Sequence, residues 1–556
     1  MARPLSFVPA LALTTLAPLT FAHAATPANA SADENYALQQ AVHARLDGDR
    51  TGACWAAALI DGARVQRAFV CADPAQFTRI GADTAFEIGS ISKTMTAALL
   101  AELIGAGKAS LDDPLAAYLP AGTVLPSFEG QPILLRHLVA HTSGLPALPP
   151  GIALDPLDPY ARLDPKQLLD ALARVKLSHA PGREFAYSNY ASMLLSYAVA
   201  RRAGQDYETL IHERLFEPLG MRHAYIARKP QDVRTASGHL PNHQVVPAWN
   251  FGADLAGVGG VRATLDDMVR YLQAQLGQIE SPIAPALTMT QQRLPGATPI
   301  AMNWMLLEHD GRTFHQHAGG TGGFSAFAAF DRSRSRGVVL LSDTALTSTG
   351  GFAEFGLHLL DREFPTVKPR KAVPAAPALL DALAGDYDMA GMRVTLTRRD
   401  TALAIQAGGQ PELRMGHDDH GDFYPLQLDA LLTPVRGADG RYGFVWQQGG
   451  GSTQARPVSA PAASRPALPR LSAQALRAFA GEYPLTPAFV LTISERDGEL
   501  YAQATGQGAL RLVAVAADVF AGDAVALEIH FERDADGRVT GLALHQNGRI
   551  IHAVRR

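Results

Sequence analysis

A chain of 556 residues exceeds what one ordinary hydrophobic core holds, so two or three domains are expected. Hydrophobic residues make up 47% and charged residues 18%, a globular composition that excludes a largely disordered protein. With 49 basic against 53 acidic residues the formal charge is -4, which leaves no electrostatic footprint for nucleic acid or an anionic membrane.

The N-terminus reads as a secretory signal. Arg3 gives a small positive start, Leu5 to Phe21 is mostly apolar, and Ala22-His23-Ala24 offers a cleavage site after Ala24. Pro4, Pro9 and Pro18 argue against a spanning helix. Residues 1–24 are therefore expected to be removed, placing the mature protein in the periplasm or medium. The two cysteines fit that compartment. Residues 53–60 and 64–70 read as strands around a turn, and a Gly62-Ala63 loop sets Asp61 opposite Arg64 and Cys54 opposite Cys71. A cross-strand disulfide follows from that register. An Asp61-Gly62 turn would shift it and leave two buried thiols.

Next comes Phe86-Glu87-Ile88-Gly89-Ser90-Ile91-Ser92-Lys93, followed by a nearly uncharged run from Thr94 to Gly105. The run predicts a helix buried on most faces, with Ser90 at its start and Lys93 one turn later on the same side. Burial without a counter-charge lowers the pKa of a lysine, and such an amine can take a proton from a serine hydroxyl. A helix-capping serine beside a snorkelling lysine produces the same letters, so the motif is weak alone. His137 and His141 stand at i, i+4, but no Glu follows His137 as a metalloprotease requires; a packed helix-and-turn role is expected.

Tyr187-Ser188-Asn189 precedes a helical stretch from Ala191 to Ala200. Tyr187 can share a proton with Lys93, and Asn189 can hold Lys93 and a substrate amide. Farther on, His317-Ala318-Gly319-Gly320 forms a glycine-rich strand along which a substrate backbone can lie. His315 lies two residues before His317, with no third metal ligand evident. No Gly-x-Ser-x-Gly elbow surrounds any serine, which disfavours an α/β-hydrolase.

Pro/Ala-rich stretches divide the remainder. They give a first unit over 33–362, a linker over 363–377, a second unit over 378–455, a linker over 456–470 and a third unit over 471–556. The two small units repeat each other at an offset of 96 or 97 residues: Ala384-Gly385-Asp386-Tyr387 returns as Ala480-Gly481-Glu482-Tyr483, and Asp439-Gly440-Arg441 as Asp536-Gly537-Arg538. Short alternating strands, such as Phe489 to Ile493 and Leu500 to Ala504, predict a pair of eight-stranded, lipocalin-like barrels, with interiors filled by side chains expected ahead of interiors that hold a ligand. His417-Asp418-Asp419-His420 is expected to be a solvated barrel loop.

Taken in order, Ser90-x-x-Lys93, Tyr187-x-Asn189 and His317-x-Gly319 resemble the three signature motifs of penicillin-recognising serine enzymes. The Tyr-x-Asn form is similar to class C β-lactamases and their relatives among D,D-peptidases, D-aminopeptidases and esterases. His141-Thr142-Ser143-Gly144-Leu145-Pro146 and Pro218-Leu219-Gly220-Met221 extend the likeness over about residues 35–350. The resemblance implies an α+β fold, an α/β sandwich of antiparallel sheet flanked by helices, followed here by the two barrels. It implies an acyl-enzyme on Ser90, base duty shared by Lys93 and Tyr187, and an oxyanion hole from the N–H groups of Ser90 and Gly320. Asn189, His317, Gly319 and Gly320 would contact substrate, with no metal and no organic cofactor. His317 departs from the lysine of class C enzymes and weakens attraction for a substrate carboxylate. A peptidase or amidase on D-amino-acid peptides or muropeptides is thus expected first, an esterase second and a β-lactamase third. A non-catalytic sensor using the same pocket is the alternative of another class.

Overall fold

The computed structural model describes residues 32–155, 157–408, 410–448, 451–458, 471–486, 489–496, 498–505, 509–522, 527–546 and 549–556. The signal sequence and most of the second linker lie outside the described residues.

The large unit is built on α1 (Ala32–Leu46), β1 (Cys54–Asp61), β2 (Arg64–Cys71), β3 (Thr84–Glu87) and α2 (Ser92–Gly105). It continues through α3 (Asn189–Ala203), β4 (Arg262–Thr264), α4 (Leu265–Gln275), β5 (Met305–His309) and β6 (Arg312–Gly320), and ends with β7 (Ser325–Asp331), β8 (Arg336–Ser342) and α5 (Phe352–Leu360). The main sheet is antiparallel in the order β2-β1-β8-β7-β6-β5. β1 shows why it needs cover on both sides. Trp55, Ala57 and Leu59 pack with Leu38 and Val42 of α1 and Phe355 of α5. Ala56, Ala58 and Ile60 join the opposite core with Met268 and Leu272 of α4 and the apolar residues of α2. A strand whose alternate residues are all apolar can only be satisfied between two helical layers.

The β1–β2 hairpin has the expected register, with Asp61 opposite Arg64 and Cys54 opposite Cys71, and the two cysteines form a disulfide. Gly62 alone of the loop pair has a positive φ, 57°. A glycine at the first loop position suits a two-residue hairpin.

Beyond Pro377–Leu383, a short helix, eight strands between Gly385 and Pro457 form a closed barrel, the ends joined by Tyr387 opposite Pro457 and Met389 opposite Ala455. Its interior is filled by apolar side chains including Val394, Leu403, Met415, Phe423 and Phe444. A second eight-stranded sheet runs in sequential order from Gly481 to Val554, and Arg556 N–H donates to Glu482 O across its open side at 2.9 Å.

The repeat read in the sequence is a repeat of devices. In each barrel a buried tyrosine donates to the carbonyl four residues earlier: Tyr387 to Leu383 and Tyr483 to Phe479, both at 2.8 Å. Each Asp-Gly-Arg turn places its glycine at nearly the same φ, 79° at Gly440 and 77° at Gly537.

One expectation fails here. The His417–His420 loop is not simply solvated, because Asp418 is completely buried. Its carboxylate takes Arg50 at 3.2 Å and Arg370 at 3.0 Å, and Arg370 also pairs with Asp422 at 2.6 Å. These residues fasten the first barrel to the large unit, and Arg370 lies in the stretch expected to be a linker. Buried acids need fixed cations, and the arginines supply them from both sides of the seam.

Candidate active site

Ser90 sits in a short 3₁₀ turn, Gly89–Ile91, that feeds directly into α2. Lys93 occupies the first turn of that helix and is 1% exposed. Its Nζ donates to Ser90 Oγ at 2.8 Å and to the Val258 carbonyl at 2.6 Å. Burial holds the Lys93 amine well below its ordinary pKa. Neither partner is an anion, so no ion pair offsets that effect of burial. Asn303 steadies the same turn of helix by donating its side-chain amide to the Lys93 carbonyl at 3.0 Å.

Tyr187 arrives on the extended segment before α3. Its ring stands 5.1 Å from Lys93 Nζ and 6.5 Å from the His317 ring. The residue is 38% exposed, and its hydroxyl end meets Ser90. Burial of that end raises the phenol pKa, and the contact with Ser90 opposes the rise. Ser188 caps α3, its Oγ accepting from Ala191 N–H at 2.9 Å, which fixes Tyr187 and Asn189 on either side of the cap. Asn189 was expected to hold Lys93. Its amide instead donates to the Tyr160 hydroxyl at 3.2 Å, and the Val258 carbonyl holds Lys93 in its place. Asn189 Oδ1 is buried with no partner among the described residues.

The third element lies on β6. His317 pairs with Ala328, Gly319 with Ala326 and Gly320 with Ser325 across β7. The glycines allow main chain to meet main chain. A Cβ on Gly319 would stand 2.0 Å from the Ile88 carbonyl oxygen and 3.2 Å from Ser90 N, and one on Gly89 would stand 2.6 Å from Gly320 N. Any side chain there would push the serine turn off the strand. The N–H groups of Ser90 and Gly320 thus come from two backbones in direct contact.

In its neutral form His317 has one tautomer fixed by its neighbour. Nδ1 lies 2.6 Å from the Ala318 carbonyl, which only accepts, so Nδ1 carries the hydrogen and Nε2 the lone pair. Burial, then the charge of Lys93, pushes its pKa down to about 4, with the Ala318 contact opposing. The remaining histidines divide. His315 turns to the Gln291 carbonyl at 3.0 Å and stacks on Phe330, and His137 Nδ1 accepts from Leu134 N–H at 3.1 Å.

His141 belongs to the site, which sequence reasoning did not see. Its ring stacks on Tyr187 with centroids 4.3 Å apart, and Nδ1 accepts from Ser188 N–H at 3.2 Å. Its carbonyl takes Ala186 N–H at 2.8 Å, and its φ of 53° turns the chain to make both bonds. Burial, then the charges of Lys93 and His317, hold its pKa well below the usual histidine value. The signal lay in the His141–Pro146 segment, noted only as a likeness.

A serine hydroxyl, a buried amine, a phenol and backbone N–H groups brought together in this way suit acyl transfer. The family described as Beta-lactamase matches residues 38–360, more than half of the chain. The chain belongs to the beta-lactamase family. It is a serine hydrolase of that family. Among its relatives is the D-alanyl-D-alanine-carboxypeptidase/endopeptidase AmpH of Escherichia coli (strain K12), 31% identical over 338 residues, covering 57% of this chain and 86% of that protein. A D-aminopeptidase from Brucella anthropi is 30% identical over 275 residues, covering 48% of this chain and 51% of that protein. A solved beta-lactamase/D-alanine carboxypeptidase from Yersinia pestis superposes with a TM-score of 0.46 at 24% identity, over 55% of this chain and 92% of that one. Residues 465–552, over most of the second barrel, match a domain of unknown function, DUF3471. No helix among the described residues of this beta-lactamase-family chain is long and apolar enough to cross a membrane.

Proposed function

We propose that the chain is an exported peptidase or amidase acting through an acyl-enzyme on Ser90, with peptides or muropeptides containing D-amino acids as substrates. The observation that carries the reading is the buried Lys93 amine 2.8 Å from Ser90 Oγ. Ser90 Oγ attacks the scissile carbonyl carbon as Lys93 Nζ takes its proton. Tyr187, whose phenol is held in its protonated form, supplies a hydrogen bond rather than the base. The oxyanion is met by the N–H groups of Ser90 and Gly320, the leaving amine recovers the proton, and water then hydrolyses the ester to Ser90. Asn189 Oδ1, buried and without a partner among the described residues, is available to an amide N–H of the substrate.

His317 ranks the substrates. A neutral ring whose Nε2 bears a lone pair offers no cation to a carboxylate, which favours peptides and esters over β-lactams that rely on that group. The activities named for the AmpH protein and the D-aminopeptidase support substrates with D-residues. The disulfide supports export to an oxidising compartment. Intact-mass measurement after a fluorophosphonate or a penicillin is expected to show one adduct, lost in Ser90→Ala. An adduct that persists in that variant removes Ser90 from the role. A panel of D- and L-aminoacyl p-nitroanilides, muropeptides, simple esters and a cephalosporin then orders the substrates, and turnover of the cephalosporin alone would overturn the ranking.

A further inference from the structure

The first barrel grips the large unit at several segments, and two of them touch the glycine strand that faces Ser90. The first is the hairpin over residues 238–246. Asn242 donates its side-chain amide to the Leu426 carbonyl of the barrel, and within the large unit His243 Nε2 meets the carbonyl of Arg50, which pairs with Asp418 of the barrel, at 3.1 Å. At its other end, His239 N–H donates to Gly323 O at 3.1 Å, and a Cβ on Gly323 would lie 2.6 Å from Gly238 Cα. The second segment follows β8. Ser348 Oγ donates to the Asp429 carbonyl of the barrel at 3.3 Å, and Arg370, paired with Asp418 and Asp422, donates to Thr349 O at 3.0 Å. Its neighbour Thr347 backs Gly320: a Cβ on Gly320 would stand 2.9 Å from Thr347 Oγ1. The two segments also bond to each other, through His239 N–H to Asp343 O and Ala345 N–H to His239 O.

We propose that the first barrel braces the Gly319–Gly323 strand end, and that Asn242, Ser348 and Arg370 are positioning residues for the Gly320 donor. The proposal rests on the acyl-enzyme reading only for its kinetic consequence. A backbone donor stabilises a developing oxyanion only when held in place before the reaction, and a strand end rich in glycine has little stiffness of its own. Contact with a barrel through two segments that also bond to each other supplies that stiffness.

The test uses full-length protein with Ser348→Ala, Asn242→Ala and the double variant, plus Ser348→Thr as rescue and Asp518→Asn in the second barrel as control. Amide hydrogen exchange over residues 317–323 is read beside the acylation rate with a fluorescent penicillin and the kcat and KM for p-nitrophenyl acetate. The double variant is expected to exchange at least fivefold faster over 317–323. It should also acylate about three- to tenfold more slowly, with KM changed less than twofold. Ser348→Thr should recover the Ser348→Ala part, and the control should match wild type. Unchanged exchange over 317–323 while residues 345–351 loosen would overturn the brace and leave simple docking. Should wild type show no Ser90-dependent adduct, the acyl-enzyme reading falls, and the exchange measurement still decides the brace by itself.

Discussion

Two of the places where this molecule buries charge-bearing groups resolve the cost in opposite ways. At the seam between the large unit and the first barrel, Asp418 is met by Arg50 and Arg370, and its second oxygen accepts from His420 and Asp422 N–H. In the cleft, Lys93 is equally buried, yet its partners are a hydroxyl and a carbonyl. The seam keeps its ions by pairing them, whereas the site around Ser90 leaves its amine without a counter-charge, so burial draws its pKa down. A buried group stabilised as an ion is fixed in place; one held on the edge of deprotonation is available for chemistry.

The largest effect that separates the two comes from Lys93→Met. Acylation by a penicillin or fluorophosphonate should fall at least about 10³-fold, equivalent to about 4 kcal/mol of barrier. The unfolding midpoint at pH 7 should hold or rise, since an apolar side chain of like length removes an unpaired buried amine. The pH dependence has a definite sign. Because the folded pKa of Lys93 lies below its unfolded value, the unfolded chain binds more protons between the two, and stability climbs as pH rises through that interval. Lys93→Met should flatten that climb in a urea titration series. A large loss of stability in the variant would mean that Lys93 is structural.

The seam should answer in the other direction. Asp418→Ala leaves Arg50 and Arg370 buried without their shared acid, a loss of about 3–5 kcal/mol by the usual cost of breaking a buried pair. Asp518 of the second barrel pairs with Arg533 at 2.7 Å on a partly exposed surface. Asp518→Ala should therefore cost under about 1 kcal/mol. Limited proteolysis at residues 363–377, followed with thermal unfolding, reads both. Equal sensitivity in the two variants would erase the distinction between a docking loop and a surface loop.

A smaller effect concerns pH at the seam. Burial pushes the Asp429 carboxyl up to about 6 from an ordinary 3.8, against the hydrogen bonds of Ser348 and the charge of Arg50. The folded chain then holds a proton that the unfolded chain releases, so stability falls as pH rises from about 4 to about 6 and levels off above. Asp429→Asn should remove that slope and add about 1–2 kcal/mol at pH 7. A variant with the wild-type slope would assign the slope to another group.

How much of this was legible follows the same division. Ser90 and Lys93 could be read because one helical turn fixes their relation, and Tyr187 and His317 because motif order brought them to the same cleft. Cys54 and Cys71 could be paired by counting outward from Gly62. Val258 could not be read, for it contributes a main-chain carbonyl that any residue would offer. Nor could the burial of Asp418, whose arginines stand 368 and 48 residues away, so that a charged loop looked like a solvated one. His141 was visible only as a member of a familiar segment, because a stack on Tyr187 leaves no spacing to count.

The finest comparison is between the barrels themselves. Tyr387 and Tyr483 repeat one buried contact, each hydroxyl donating to a carbonyl four residues back and each ring packed in its own core. The Phe substitution at either site keeps the ring and strands one carbonyl, at about 1 kcal/mol. If the device is the same, Tyr387→Phe and Tyr483→Phe should lower stability equally when local exchange is followed in each barrel. They should also differ in reach. Loosening at Tyr387 has a path through the Asp418 seam to the large unit, so protection at residues 345–351 should fall slightly in Tyr387→Phe and hold in Tyr483→Phe. Equal protection there in both variants would show that the first barrel absorbs such a loss internally, and that its seam is stiffer than its own cap.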